Sequence, residues 1–263
     1  MKFFCIPPNK HLDLMEQGDR YFCLAHHYVQ DERYKRYFLS LRNRSPKVWI
    51  TTDNSAAEHS LVTEDVLLKI VAELKPDEVI APDVLFDKEQ TLKNFTSFVS
   101  KMSERGLLSH TSIFACPQGS TKEEWLECYH EMATNSFVKC IGLSKIAVPK
   151  CWNNAEWDKL IAVSRNECIK ELQERNWLFK PLHFLGMGEH TEFDFYLDNK
   201  IPNIRSSDSC YSVLAAINNI SFSSGDITRI PTNNSYFDAS LTSEQIKLAE
   251  ENITFLKTKY KDV

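Results

Sequence analysis

The fold is decided by one stretch of the chain, which reads Val48-Trp-Ile-Thr-Thr-Asp-Asn54, then Thr63-Glu-Asp-Val-Leu-Leu-Lys-Ile-Val-Ala-Glu-Leu74, then Glu78-Val-Ile-Ala81. The first and third pieces are short and rich in β-branched residues, which is typical of strands. The middle piece opens with a threonine that can cap a helix, carries carboxylates in its first turn and repeats apolar residues at helical spacing. We therefore predict a strand, a helix and a second strand.

The same alternation continues along most of the chain. Predicted strands cover residues 21–29, 48–52, 78–81, 112–116, 138–143 and 182–185, with a further apolar run at 201–207. Predicted helices cover residues 63–74, 88–105, 122–134, 155–176 and 242–261, and residues 221–235 are expected to form a polar loop. Strands that alternate with helices form a parallel sheet. About seven such strands favour a (β/α)8 TIM-type barrel, formed by residues 1–263 as a single domain, over an open doubly wound sheet.

Composition excludes several classes of protein. The chain of 263 residues is 43% hydrophobic and 25% charged, which is typical of globular proteins and unlike disordered, collagenous or coiled-coil chains. A net charge of −5 argues against coating nucleic acid by bulk charge. None of the cysteines forms a CxxC-type pair, and no apolar run approaches the roughly 18 residues of a membrane span. We expect reduced thiols, a cytoplasmic location, no membrane contact, no metal and no cofactor.

Polar residues and glycines follow many of the predicted strands. The chain has only seven glycines. The residues concerned are Asp53, Asn54, Asp83, Gln118, Gly119, Gly142, Gly186, Gly188 and Asp208. Each one alone is typical of a helix cap or a turn. Because the carboxyl ends of barrel strands meet at one rim, their combination predicts a ligand site there.

Five short motifs, in order, resemble those of the guanine transglycosylases, which exchange guanine for a 7-deazaguanine in nucleic acid. Thr52-Asp-Asn-Ser55 is similar to that family's TDSGG segment, and Val79-Ile-Ala-Pro-Asp83 is similar to its VMAFD segment. Pro117-Gln-Gly119 is similar to its VQGG segment, and Phe184-Leu-Gly-Met-Gly188 to its LMGVG segment. Ile204-Arg-Ser-Ser-Asp-Ser-Cys210 is similar to the DMFDC segment that carries the family's nucleophile. Two features depart from the family. Ser55-Ala56 replaces a glycine pair, and the proline-threonine-arginine after the nucleophile segment is absent.

The region after the last motif indicates which nucleic acid the resemblance implies as substrate. The tRNA-acting enzymes carry a zinc site built from a CxCxxC cluster and a histidine, whereas this chain has no cysteine after Cys210 and no histidine after His190. The chain therefore resembles the DNA-acting branch, the DpdA-like 7-deazaguanine transglycosylases of phages and bacteria, and we expect a barrel that lacks the zinc-binding subdomain. DNA is the implied partner, with tRNA as the alternative. A homodimer is left open.

The resemblance also implies roles for the residues at the rim. Asp208 would be the nucleophile that attacks C1′, and Asp53 the general acid and base for the leaving and incoming bases. Asp83 and Gln118, with Gly119 in the same motif, would read the guanine edge, because a carboxylate accepts from the ring N–H and the exocyclic amine. Gly142 and the Leu143 backbone would close the floor of the pocket, and Asn54 would contact base or ribose. The second substrate would be a free 7-deazaguanine base.

A basic segment precedes the first motif, at residues 33–47. Three aromatic residues are interspersed among its basic residues, which are Arg33, Lys35, Arg36, Arg42, Arg44 and Lys47. This composition suits contact with phosphates and unstacked bases, and it equally suits a solvated basic helix.

Three other functions remain open on the sequence. A non-catalytic nucleic-acid-binding paralogue would share the fold, although retention of the carboxylates argues against it. A metal-dependent hydrolase would need clustered histidines, and the eight histidines show no HxH or HxxxH spacing. An ordinary glycoside hydrolase also uses paired carboxylates. His26 and His27 are expected on a strand, facing opposite sides.

Overall fold

The computed structural model describes residues 1–56, 62–155, 160–187, 189–225, 230 and 235–263. Eight strands lie in this part of the chain. They are Lys2–Cys5 (β1), Tyr21–Leu24 (β2), Ile50–Asp53 (β3), Glu78–Ile80 (β4), Ser112–Ala115 (β5), Val138–Ser144 (β6), Leu182–Leu185 (β7) and Ile204–Ser209 (β8). They form one sheet in the order β1-β8-β7-β6-β5-β4-β3-β2.

Ten α-helices accompany the strands in the described ranges. They are Ala25–Gln30 (α1), Glu32–Arg42 (α2), Glu64–Leu74 (α3), Lys88–Glu104 (α4), Lys122–Thr134 (α5), Ala147–Asn153 (α6), Ile161–Glu174 (α7), Asp194–Asn199 (α8), Tyr211–Ile217 (α9) and Ser243–Lys259 (α10). Short 3-10 helices cover Asn9–Gln17, Leu107–Ser109, Phe222–Ser224 and Tyr236–Asp238. None of the described helices is long and apolar enough to cross a membrane.

The predicted fold class is confirmed. Strands alternate with helices, and the pairs β1–β8, β3–β4, β4–β5 and β5–β6 are parallel. With the strand order above, this is a (β/α)8 TIM-type barrel. The chain also divides into two compact units, residues 23–183 and residues 1–22 with 184–263, which are described separately below. The assignment of one domain to residues 1–263 stays a prediction.

The unit formed by residues 23–183 contains β3–β6 and α1–α7. Three of its helices, α3, α4 and α5, begin within one residue of the predicted start, because a side chain before the first turn satisfies backbone N–H groups. Thr63 caps α3, Asp87 caps α4 and Thr121 caps α5. Each helix then buries an apolar stripe, which for α3 consists of Leu67, Leu68, Ile70, Val71 and Leu74.

The unit formed by residues 1–22 and 184–263 pairs β1 with β8 and packs α10 against α9. Thr242 and Gln245 form a reciprocal capping box at the start of α10. On the same helix Asn252 is buried, and it accepts a hydrogen bond from the Phe222 backbone N–H while its amide donates to the carbonyls of Ser212 and Ile220. These bonds tie the start of α9, and the segment that follows α9, to α10.

The structure corrects several predicted elements. The apolar run at residues 21–29 is a strand only as far as Leu24, and α1 occupies Ala25–Gln30, so His26 and His27 lie on a helix. The first strand, β1, was not predicted, nor were α2, α6, α8 and α9. The predicted helix 155–176 is seen as Ile161–Glu174, while residues 156–159 and much of the predicted loop 221–235 lie outside the described residues.

Candidate functional site

Three predicted site residues meet at the carboxyl ends of neighbouring strands in the 23–183 unit. Asn54 follows β3, Asp83 follows β4 and Gln118 follows β5. The Asn54 amide donates to Asp83 Oδ1 at 2.5 Å, and the Gln118 amide donates to Asp83 Oδ2 at 2.5 Å. One carboxylate is thus held between two amides from adjacent strands.

The two amides are themselves fixed by backbone groups. Asn54 Nδ2 also donates to the carbonyl of Ala81 at 2.7 Å, and Asn54 Oδ1 accepts from the Ala56 N–H at 3.0 Å. Gln118 Oε1 accepts from the Phe86 N–H at 3.2 Å. These bonds also distinguish the amide oxygen from the amide nitrogen in both side chains. Asn54 and Gln118 are buried, and their bonds orient Asp83. Their own contacts with base or ribose stay predictions.

The carboxyl of Asp83 has a raised pKa. Burial raises the pKa of its carboxyl to about 6, and the hydrogen bonds from Asn54 and Gln118 limit that rise. At pH 7 the group is therefore largely ionised and accepts hydrogen bonds, whereas below pH 6 it is largely protonated. A carboxyl that changes its charge near neutral pH, at a strand end, is a strong candidate for ligand recognition.

Asp53 lies at the end of β3, beside Asn54. Its Oδ2 accepts a hydrogen bond from the Ser55 N–H at 2.9 Å. Ser55 in turn contacts His26 at the start of α1, with 2.8 Å between Ser55 Oγ and His26 Nδ1. Burial and the neighbouring His27 lower the pKa of His26 to about 4, so this ring is neutral at pH 7.

Gly119 has a packing role in this structure. A Cβ at Gly119 would lie 2.5 Å from the backbone nitrogen of Trp125, in the first turn of α5. The glycine therefore lets the loop that carries Gln118 pass close to the helix. Burial also raises the pKa of the nearby Cys116 thiol, which keeps this thiol protonated and a poor nucleophile.

Gly142 and Leu143 lie inside β6, which matches the strand predicted at residues 138–143, so Gly142 does not follow the strand end. Both residues are buried. The next residue, Ser144, accepts hydrogen bonds from the N–H groups of Ile146 and Ala147 and so supports the turn into α6. A pocket floor at Gly142 and Leu143 stays a prediction.

Asp208 belongs to the other unit and lies within β8, where the sequence analysis placed it after a strand. It is buried, with 6% of its surface exposed, and stands opposite Phe4 of β1. Its Oδ1 accepts a hydrogen bond of 3.0 Å from the N–H of Gly186, whose φ of +73° favours glycine. That bond helps to fix the orientation of the carboxylate. Gly188 lies outside the described residues.

The basic segment forms α2 and the turn after it, and several of its charges are paired. Lys35 bonds Glu73 at 2.8 Å, and Arg36 lies 3.5 Å from Glu32. Asp77 contacts both Arg42, at 2.7 Å, and Lys47, at 2.9 Å.

Exposure divides the same segment into two groups. Arg33, Arg36, Arg44 and Lys47 are exposed, whereas Lys35 and Arg42 are partly buried. Nucleic-acid contact by this segment stays a prediction, and the exposed arginines are best placed for it. In the ranges that the structure describes, no three His, Cys, Asp or Glu side chains are arranged to hold a metal ion.

His26 and Ser55 are the residues that the sequence analysis did not assign to the site. Ser55 stands where the similar motif has glycine, and its φ of +62° is in the left-handed region. In the sequence, the one sign that this position matters is a serine where the similar motif has glycine. The contact between Ser55 and His26 joins residues that are far apart in the chain, so the sequence does not show it.

Comparisons with known proteins support the fold alone. No family model matches the chain, and neither does any curated protein. D-Psicose 3-epimerase from Clostridium cellulolyticum H10, solved with D-tagatose, is 10% identical over 98% of this chain and 99% of that chain, with a TM-score of 0.50. A HpcH/Hpal aldolase/citrate lyase family protein from Burkholderia cenocepacia J2315 is 5% identical over 79% of this chain and 86% of that chain, with a TM-score of 0.49.

Proposed function

We propose that this chain is an enzyme that exchanges guanine in DNA for a 7-deazaguanine base. The observation that carries the proposal is the Asp83 carboxylate, held at 2.5 Å by both Asn54 and Gln118 at the ends of adjacent strands. These residues lie in the motifs that resemble the guanine transglycosylases. The arrangement presents a fixed, ionisable acceptor where barrel enzymes bind their substrates.

The chemistry of guanine suits such an acceptor. Its ring N1–H and exocyclic amine are adjacent donors, and a carboxylate can accept from both. A 7-deazaguanine keeps these donors, because it differs from guanine at the opposite side of the base. One carboxylate can therefore hold the leaving base and the incoming base in turn.

The proposed reaction passes through a covalent intermediate. The Asp208 carboxylate attacks C1′ and forms an ester with the sugar as the bond to guanine N9 breaks, while Asp53 protonates the departing base. In the second half the Asp53 carboxylate removes the N9 proton of the incoming base, whose nitrogen attacks C1′ and releases the Asp208 carboxylate. Each carboxylate returns to its starting state. Retention of configuration follows from two displacements.

Nucleoside analysis tests the proposal directly. DNA and tRNA from cells that express the wild-type chain are digested, and 7-deazaguanine nucleosides are measured by mass spectrometry. We expect the modified nucleoside in DNA, and its absence in cells that express Asp83→Asn. Asp198→Asn, an exposed aspartate on α8, is the matched control and should behave as wild type.

The other outcomes distinguish the alternatives. Modification of tRNA alone would indicate a minimal tRNA enzyme. Binding of DNA without modification of either nucleic acid would indicate a non-catalytic paralogue. Either result would overturn the proposed DNA activity.

A further inference from the structure

A histidine that the proposed reaction does not use is tied to the candidate site. His26 is the second residue of α1, and only 7% of its surface is exposed. Its ring Nδ1 lies 2.8 Å from Ser55 Oγ, and its backbone N–H donates to the same oxygen at 3.1 Å. One serine hydroxyl therefore joins the start of α1 to the turn after β3.

Ser55 adopts a backbone conformation that is unfavourable for serine. At its φ of +62° the Cβ crowds the neighbouring peptide, which is why glycine is usual there. A non-glycine residue persists in this conformation only where its surroundings hold it. The two hydrogen bonds between His26 and Ser55 Oγ supply that support.

The conformation of Ser55 controls the two side chains before it. The Ser55 N–H donates to Asp53 Oδ2 at 2.9 Å, and the next N–H, of Ala56, donates to Asn54 Oδ1 at 3.0 Å. A change in the Ser55 backbone would turn both N–H groups away. Asp53 would then lose a bond that orients its carboxylate, while Asn54 would keep its bonds to Ala81 and Asp83.

We propose that His26 and Ser55 are positioning residues, which hold the Asp53 carboxylate in the orientation that proton transfer to the base requires. The inference rests on the proposed function, in which Asp53 is the acid and base. Neither residue needs to touch the substrate, because both act through the turn. The ring of His26 is neutral at pH 7, so its hydrogen bond to Ser55 adds no charge beside Asp53.

Exchange kinetics provide the first test. His26→Phe keeps an aromatic ring and the backbone bond to Ser55 Oγ but removes the side-chain bond. His26→Asn keeps a side-chain nitrogen the same number of bonds from Cβ as Nδ1. We expect His26→Phe to lower kcat by at least about tenfold, with the KM for the free base changed less than about twofold, because orientation of the acid–base group is lost and base recognition is not. His26→Asn should restore kcat to within about threefold of wild type.

Three further variants complete the set. Ser55→Ala removes the hydroxyl but keeps a Cβ at the positive φ, so the turn loses its support and kcat should fall as in His26→Phe. The double variant should be no slower than the Ser55 variant alone, because Ser55 Oγ takes part in every bond that either change removes. His27→Phe, which alters the adjacent ring on α1, is the matched control and should leave kcat unchanged.

Hydrogen exchange measured by NMR gives a readout that needs no substrate. The Ser55 N–H is bonded to Asp53 in the folded protein, so its exchange with solvent should be slow. His26→Phe should accelerate it at least about tenfold, whereas His26→Asn and His27→Phe should not. If His26→Phe does not fold, the backbone amide at the substituted position of Ser55→Ala reports on the same turn and should exchange at least about tenfold faster than in wild type.

The two readouts separate failure of the inference from failure of the proposed function. Unchanged exchange of the Ser55 amide in His26→Phe, or unchanged kcat in that variant, would overturn the inference. A wild-type chain that exchanges no bases, with faster Ser55 amide exchange in His26→Phe, would overturn the proposed function and support the control of the turn by His26.

Discussion

The amide nitrogen of Gln118 lies 2.5 Å from Asp83 Oδ2, while the amide oxygen of the same side chain accepts a hydrogen bond from the Phe86 backbone. Both ends of the amide are therefore engaged, and the side chain is fully buried. Rotation of Gln118 would leave a buried polar group without its hydrogen-bond partner, which is costly. The direction of the Asp83 carboxylate thus depends on Gln118.

Gln118→Glu should weaken binding of guanine. The change replaces a donor by a second carboxylate, so the pKa of Asp83 rises further and its ionised form becomes less populated. Loss of a charge-assisted hydrogen bond costs about 1.5 to 3 kcal/mol, which corresponds to roughly a 10- to 150-fold higher Kd for guanine at pH 7. Isothermal titration calorimetry measures the Kd for guanine in each variant. Gln90→Glu, in the first turn of α4, is the matched control, and equal affinities in the two variants would contradict the prediction.

Guanine binding should depend on pH through Asp83. Because burial raises the pKa of this carboxyl to about 6, the acceptor form is present above pH 6 and is lost as the pH falls. We expect the Kd for guanine to be constant between about pH 7 and 8 and to rise by about tenfold for each pH unit below 6. Asp83→Asn should bind weakly with no such step. A wild-type profile that is flat from pH 5 to 8 would exclude Asp83 as the recognition group.

The same carboxyl should destabilise the fold near neutral pH. Its pKa is higher in the folded than in the unfolded chain, so the folded state binds more protons between about pH 4 and 6, and stability falls as the pH rises through that window. Relative to Asp83→Asn, the wild type should lose about 2 to 3 kcal/mol of unfolding free energy between pH 4 and pH 7. Urea unfolding at several pH values measures the difference. A difference that does not change with pH would refute the assigned acidity.

The parts of the fold that sequence predicts well are those with two agreeing signals. Apolar spacing and a capping threonine coincide for α3 and α10, and both helices begin where predicted. The run Tyr21–Val29 carries only one signal, because a short apolar stretch packs equally well as a strand or as a buried helix. Its second half becomes α1. β1 has four residues, too few for any periodicity to be recognised.

The candidate site, too, is predictable from the sequence only in part. Its location follows from topology, since carboxyl ends of adjacent parallel strands bring Asn54, Asp83 and Gln118 together whatever the details of the loops. The roles of individual groups depend on backbone angles that the sequence does not specify. The positive φ of Ser55 directs two N–H groups, and the buried Gln118 donates to Asp83, while its expected contact with the base stays a prediction. Both are non-local effects.

Arg42 should contribute to stability, in contrast to the exposed arginines of the same segment. Burial of Asp77 raises the pKa of its carboxyl, but hydrogen bonds from the Ile50 N–H, Arg42 and Lys47 outweigh that effect and lower the pKa overall. Arg42→Ala leaves this partly buried carboxylate underpaired, which should cost about 1 to 3 kcal/mol of unfolding free energy at pH 7. The loss should shrink as Asp77 becomes protonated below its unfolded pKa. Thermal and urea unfolding measure both effects.

Arg33→Ala, Arg36→Ala and Arg44→Ala form the comparison set for nucleic-acid binding. They are exposed, so we expect changes in stability within about 0.5 kcal/mol. If these side chains contact phosphates, the triple variant should reduce the slope of log K against log salt by about 2 to 3 for DNA. Fluorescence anisotropy with single-stranded DNA at several salt concentrations gives the slope. An unchanged slope would assign the segment to ordinary protein surface.

Asp208 should form a covalent bond with DNA when no incoming base is present. The Gly186 N–H holds one carboxylate oxygen by a hydrogen bond of 3.0 Å, which orients the group that attacks C1′ in the proposed reaction. Wild-type protein mixed with single-stranded DNA and then denatured should therefore migrate as a protein–DNA adduct. Free 7-deazaguanine, added before denaturation, should discharge the adduct. Intact duplex should give less adduct, because the target nucleotide must leave the base stack before C1′ is accessible.

Variants assign the adduct to its residue. Asp208→Ala should abolish both adduct and exchange, since alanine has no oxygen to form the ester. Asp53→Asn should still bind DNA but accumulate adduct slowly, because only the proton donor for the leaving base is lost. Asp198→Asn should form adduct at the wild-type rate. Base exchange by Asp208→Ala at a rate near that of wild type would overturn both the nucleophile assignment and the transglycosylase proposal, because no covalent sugar intermediate at this residue would then be needed.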